Sequence, residues 1–341
     1  MNKYRPFGVS VIIFLVSTVA LAADNTYELT QIGSGNTASG DQSDASVVGS
    51  TIIQIQIGNN NDAEATQQGF TIFSSVVQRQ IGNSNSSGGQ QEGAIFTTSV
   101  IDQYGENNFG SSEQFSTEGN SSYILQVGSA NSILVSQTDG VDNAASVTQF
   151  GVNNMGFTSQ RDGVGNVGVA VQTGENLNFL ISQDSSSLNT AIALQAGNSL
   201  TMFIEQNSSI GSNSVAIQAG GNNNFVQSSQ EGLGQDSFIL QNGTSLEVVH
   251  EQIGTFNTAY TEQFGGLNTA ETVQSTGFNH AETLQFSGLL NESVLVQLDA
   301  FNTAIALQTG DTNSTRLSQT TAGNFATSTQ FGDNNTVLGL Q

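Results

Sequence analysis

Between Asn257 and Gln308 the polar and apolar positions of the chain obey one rule. Five segments read NTAYTEQ (257–263), NTAETVQ (268–274), NHAETLQ (279–285), NESVLVQ (291–297) and NTAIALQ (302–308). Each is Asn, any residue, a small residue, three residues and Gln, and the next begins about 11 residues later. Alternate side chains of a β-strand share a face. In the fifth segment Asn302, Ala304, Ala306 and Gln308 therefore lie on one face, and Thr303, Ile305 and Leu307 on the other. Seven residues with a four-residue connection suit a strand and a tight turn, and are too short for a packed helix. Two such strands make a rung of about 22–23 residues, a period of the size that marks stacked repeats.

The rule runs through the whole chain. The first Gln of a rung stands at Gln31, Gln56, Gln80, Gln103, Gln126, Gln149, Gln172, Gln195, Gln218, Gln241, Gln263, Gln285, Gln308 and Gln330. The second stands at Gln42, Gln67, Gln91, Gln114, Gln137, Gln160, Gln183, Gln206, Gln230, Gln252, Gln274, Gln297, Gln319 and Gln341. Gly follows two residues after the first Gln in every rung but the twelfth, where Ser287-Gly288 shifts it by one. Glycine supplies the positive φ of a tight turn without steric cost. The second strand opens on Asn36, Asn61, Asn85, Asn108, Asn131, Asn154, Asn224, Asn268, Asn291, Asn313 and Asn335, with Leu177, Leu200 and Leu246 in the remaining rungs. The first strand opens on a polar residue throughout, from Asn25, Ser50 and Ser74 to Asn302 and Asn324. Extra residues are expected near Asn222–Asn224 and Leu289–Leu290.

Parallel stacking of rungs sets Gln over Gln and Asn over Asn at about 4.7–4.8 Å. A side-chain amide both donates and accepts, so each Gln can bond the Gln above and the Gln below. A buried polar row is tolerated when satisfied in this way. It also fixes register, because a one-residue slip would turn every Gln out of line. Between the amide rows the inward positions are small or apolar: Ala191 and Ala193, Phe179 and Ile181, Met202 and Ile204, Ala304 and Ala306. The expected fold is all-β: residues 25–341 form one β-solenoid of about fourteen strand-turn-strand repeats, of amyloid-type cross-β character. It would be about 65 Å long at about 4.8 Å per rung. No rung can be stable alone, so stability comes from stacked neighbours.

Composition sharpens this reading. The 341 residues hold 38 Gly, one Pro and no Cys, and only 10% are charged. Such a Gln/Asn-rich chain could be a disordered tract, but low-complexity tracts do not keep register over so many repeats. Without Cys there is neither a disulfide framework nor a Cys zinc site. A net charge of −23 excludes a surface for nucleic acid or anionic membrane. Residues 1–22 have the form of a secretory signal peptide, with Lys3 and Arg5 ahead of the apolar run from Val9 to Val19 and Ala20-Leu21-Ala22 before the cleavage point. That run is short for a membrane span of about 20 residues, so no membrane insertion is expected after cleavage.

No catalytic site, cofactor or metal site is expected. The two histidines, His250 and His280, lie 30 residues apart, the first inward and the second outward or in a turn. No G-x-S-x-G element precedes a helix. The acidic residues gather at turns (Asp139, Asp142, Asp162, Asp311, Asp333) and on outward strand positions (Glu64, Glu262, Glu271) without the period of a calcium-binding β-roll. Outward positions vary, as in Ile53 and Ile55, Ser75 and Val77, Tyr260 and Glu262, Ile305 and Leu307. A soluble solenoid that binds a ligand, ice or a surface, the alternative class, would want a regular outward row. A polysaccharide-acting β-helix enzyme would need a long insertion, which no rung carries.

The pattern Gln-x-Gly-x2-Asn-x-Ala-x3-Gln, with Ser six residues upstream, resembles the repeat of the curlins, subunits of bacterial curli fibres. QIGSGNTASGDQ (31–42) and Ser50 with QIGNNNDAEATQ (56–67) fit it position by position, and the resemblance covers Asn25 to Gln341. The chain differs in carrying fourteen repeats and in opening most first strands on Asn. The resemblance implies a secreted, extracellular fibre on the cell surface that serves biofilm matrix, adhesion and cell aggregation. It implies as partners further copies of the chain in a head-to-tail homopolymer, a nucleator subunit and an outer-membrane secretion pore. Neither terminal repeat reads as a polar cap, so both ends are expected to act as templates for another copy.

Overall fold

The structure, a computed structural model, describes residues 24–341; the signal-peptide reading of residues 1–22 lies outside them. Twenty-eight strands form two parallel sheets of fourteen. The first strand of every rung, from Thr26–Ser34 to Phe325–Phe331, enters one sheet. The second, from Thr37–Asp41 to Thr336–Leu340, enters the other. The chain is thus an all-β solenoid of fourteen turns, with no helix among the described residues.

Alternation builds each strand. In Val167–Glu175, Gly168, Ala170 and Gln172 are buried while Val167, Val169 and Val171 stay half-buried on the outside. Register follows the amides: Gln149 pairs with Gln172, and Gln172 with Gln195. The central core gathers Ile101, Ile124, Ile133, Val135, Phe179, Ile181, Met202 and Ile204, all at most 1% exposed. A large inward residue meets a small one: a Cβ on Gly156 would lie 2.0 Å from the ring of Phe179 in the next rung.

Glycine in Q-x-G answers a close approach as well as a backbone angle. Gly151 has a φ of +123°, and a Cβ there would sit 1.9 Å from the carbonyl oxygen of Gly174 in the rung above. The residue before each second-strand opening is left-handed, for example Asn60 at +54°, Asn107 at +56° and Asn153 at +55°. Asn tolerates that region better than most residues. The extra residues fall slightly earlier than the sequence places them. In the ninth rung Gly221, not Gly220, lies over Gly197 and under Gly243, and pairing shifts after Ala196. In the twelfth, Gly265 pairs with Gly288 and the shift follows Gln263.

Candidate functional site

The candidate site is the set of amide rows, with the two edges at which they end. In the first row each Gln donates through Nε2 to Oε1 of the Gln one rung on, beginning Gln31 to Gln56 at 2.7 Å and Gln56 to Gln80 at 2.9 Å. The row continues through Gln103, Gln126, Gln149, Gln172, Gln195, Gln218, Gln241, Gln263 and Gln285 without a gap. It finishes with Gln285 to Gln308 at 2.7 Å and Gln308 to Gln330 at 2.9 Å. The second row runs with the same polarity from Gln42 to Gln67 at 2.6 Å up to Gln319 to Gln341 at 3.0 Å. The remaining amide hydrogen of each interior Gln crosses the core: Gln172 donates to the Met155 carbonyl at 3.2 Å and Gln183 to that of Val167 at 3.2 Å. The same side chains therefore tie rung to rung and sheet to sheet.

The Asn row works through the backbone. Oδ1 of Asn108 accepts from the N–H of Asn131 at 3.1 Å, and its Nδ2 donates to the carbonyl of Gly128 at 3.0 Å. Asn36, Asn61, Asn85, Asn131, Asn291 and Asn313 repeat both bonds with the rung above. Asn154 makes the same pair with the Leu177 N–H and the Gly174 carbonyl, and Asn224 with Leu246 and Gly243. Asn268 accepts from the N–H of Asn291 at 3.0 Å, and Asn335, in the last rung, donates to Oδ1 of Asn313 at 2.9 Å. The acceptor is the glycine carbonyl that a Cβ would strike, so Gly and Asn of the motif serve one contact.

Three features escape the sequence pattern. A short third amide row lies inside the first rungs: Tyr27 Oη donates to Gln54 Oε1 at 2.8 Å, and Gln54 Nε2 to Gln78 Oε1 at 2.8 Å. Both Gln are fully buried at positions that are apolar in most other rungs. Their signal was an amide two residues ahead of the first ladder Gln. Second, Asp102 is 8% exposed on an outward position, over Arg79 at 3.6 Å. Burial raises its pKa more than Arg79 lowers it. Third, phenylalanines stack along the corner before the first strand, Phe73 on Phe96 at 5.6 Å and Phe278 on Phe301 at 5.1 Å.

His250 is inward, as its place in the strand implies, and its ring lies between Ser237 Oγ at 2.9 Å and Thr261 Oγ1 at 2.8 Å. Burial pushes its pKa down to about 3. No cluster of three metal-binding side chains occurs among the described residues.

At the first rung no described residue donates to Oε1 of Gln31 or Gln42, and an open hollow of about 470 Å³ lies between the sheets beside Tyr27, Leu29 and Gly40. At the fourteenth, Gln330 spends one amide hydrogen on the Ser314 carbonyl at 2.9 Å and Gln341 one on that of Phe325 at 3.3 Å. Among the described residues the two Gln rows thus end in acceptors at the first rung and in donors at the last.

No family model and no curated protein matches the chain.

Proposed function

We propose that the chain is a secreted curlin-like fibre subunit, built to stack end on end into extracellular amyloid filaments of a cell-surface matrix. What supports the reading is the polarity of the amide rows. Every Gln-to-Gln bond of the two rows points from a rung to the next, so in these rows the first-rung edge offers acceptors and the last-rung edge donors. Stacking the fourteenth rung on another copy's first continues both rows, with Gln330 facing Gln31 and Gln341 facing Gln42. Two like edges would instead set acceptor against acceptor or donor against donor. Strand edges of this kind template further pairing, and a head-to-tail contact that does not close gives an open filament. Export by an outer-membrane pore, a nucleator that starts the filament, and roles in adhesion and aggregation belong to the same reading and rest on the repeat's likeness to curlins.

Seeded elongation tests it. Replacing Gln330 and Gln341, or Gln31 and Gln42, by Ala should slow growth far more than replacing the interior pair Gln172 and Gln183. An interior pair that proves equally damaging to elongation overturns end stacking.

A further inference from the structure

The outward side of the first-strand sheet holds two apolar columns that no single strand reveals. One runs Val169, Ile192, Val215, Phe238 and the other Val171, Leu194, Ile217, Leu240, in register across the seventh to tenth rungs. All eight are half-buried by their own neighbours and lie outside the core. From Tyr123 and Leu125 to Phe238 and Leu240, six rungs in all, these columns contain no charged residue and only Ser146 and Thr148 interrupt their apolar run, in a chain of net charge −23. Beyond the patch the same columns hold Arg79 and Asp102 on one side and Glu262 and Glu282 on the other. The opposite sheet places Glu113, Glu205, Glu251 and Glu271 on outward strand positions.

We propose that this face pairs with the same face of a second copy, so that two solenoids pack sheet against sheet about 10 Å apart. The fit is specific in three ways. Stacked strands form ridges about 4.8 Å apart, and the surface that matches them is another sheet of the same spacing. Six rungs of seven-residue strands give a footprint of roughly 650 Å² per partner, close to the ~800 Å² that each side of a stable contact buries. The charge that opposes association is kept off the two columns, with outward carboxylates at the borders of the patch, Asp236 at the strand start of its last rung among them, and on the far sheet. The same patch on both partners makes the pairing isologous and closed at two, so it is independent of end-on growth.

The test is mass per length of unstained filaments by dark-field electron microscopy. The wild type should show two chains per length of one solenoid. Ile192→Glu with Ile217→Glu should halve that value, because both columns already accept Glu at positions 282 and 262 and the fold tolerates it. Leu180→Glu with Gln227→Glu, on the opposite sheet, should leave it doubled. A wild type with one chain per solenoid length overturns the proposal, as does halving by the opposite-sheet pair alone. Should the chain form no filaments, the end-stacking reading fails, and sedimentation equilibrium of the soluble chain decides the pairing. A dimer that Ile192→Glu with Ile217→Glu dissociates supports it, and a wild-type monomer overturns it. Unchanged far-ultraviolet circular dichroism excludes unfolding as the cause.

Discussion

Gln308 donates through Nε2 to Oε1 of Gln330 at 2.9 Å, and Thr315 Oγ1 donates to the same oxygen at 2.9 Å. The acceptor of Gln330 is thus saturated from the rung below, while one of its amide hydrogens meets no described residue. This imbalance recurs at Gln341 and gives the solenoid its direction. In interior rungs the imbalance vanishes, because each donor finds the acceptor above it.

The interior rows carry a measurable share of stability. Gln172→Leu removes the acceptor of the 2.7 Å bond from Gln149 and the donor of the 2.8 Å bond to Gln195. Each buried partner left unsatisfied costs about 1–3 kcal/mol. With two such partners, urea unfolding of the chain should show a loss of about 2–6 kcal/mol. The same change at Gln68, half-buried on the outside with one side-chain bond to Glu92 at 2.9 Å, should cost under about 0.5 kcal/mol.

Two glycine substitutions separate backbone angle from close approach. Gly211 has a φ of +63° and nothing within 4 Å of a built Cβ, so Gly211→Ala should cost about 1–2 kcal/mol, the penalty of the left-handed region. Gly151→Ala meets the Gly174 carbonyl as well and should cost more than about 4 kcal/mol, beyond the ordinary range for point changes. Equal thermal midpoints for the two variants would refute the stacking role of Q-x-G.

His250 couples folding to acid. Its folded pKa, near 3, lies below the usual 6.5 of a free histidine. The unfolded chain therefore binds the proton more readily, so this contribution to stability is full above pH 6.5 and is lost as pH falls toward 3. The slope is up to about 1.4 kcal/mol per pH unit. Its neighbours in register, Ser228 and Thr272, do not titrate in that range. His250→Thr should flatten the fall in urea midpoint between pH 6.5 and 4, leaving the carboxylate contribution.

Charge should govern assembly rate in the opposite sense. Removal of Lys3 and Arg5 with residues 1–22 would take the net charge from −23 to −25. Two like charges about 5 Å apart repel by about 1 kcal/mol in water, less in salt. Lag times should shorten as pH falls from 8 toward 4 and as salt rises at pH 8. Lag times that ignore both would remove electrostatics from the mechanism.

The sequence made the rows legible because a buried amide must meet an identical partner at every rung, which leaves a strict period. The inward Ala, Ile and Met positions were legible by alternation from that anchor. Gln54 and Gln78 were not, because their row spans two rungs and ends on Tyr27, too short for a period to emerge. The apolar columns through Ile192 and Ile217 were hidden for another reason. Outward residues of both strands read as a mixed set along the chain, and sort into chemically different faces only when alternate strands are gathered into separate sheets. The extra residue of the ninth rung falls at Gly220–Gly221 rather than near Asn222–Asn224, since adjacent glycines leave the bulge site open in sequence and the pairing of Asn198 with Asn222 decides it.

Fibre diffraction from the chain after removal of residues 1–22 tests whether solenoids stack end on end. Unbranched filaments should give a 4.7–4.8 Å reflection along the filament axis, because rungs stack in the direction of growth. A chain that stays monomeric, or filaments with that spacing across the axis, would contradict end-on stacking.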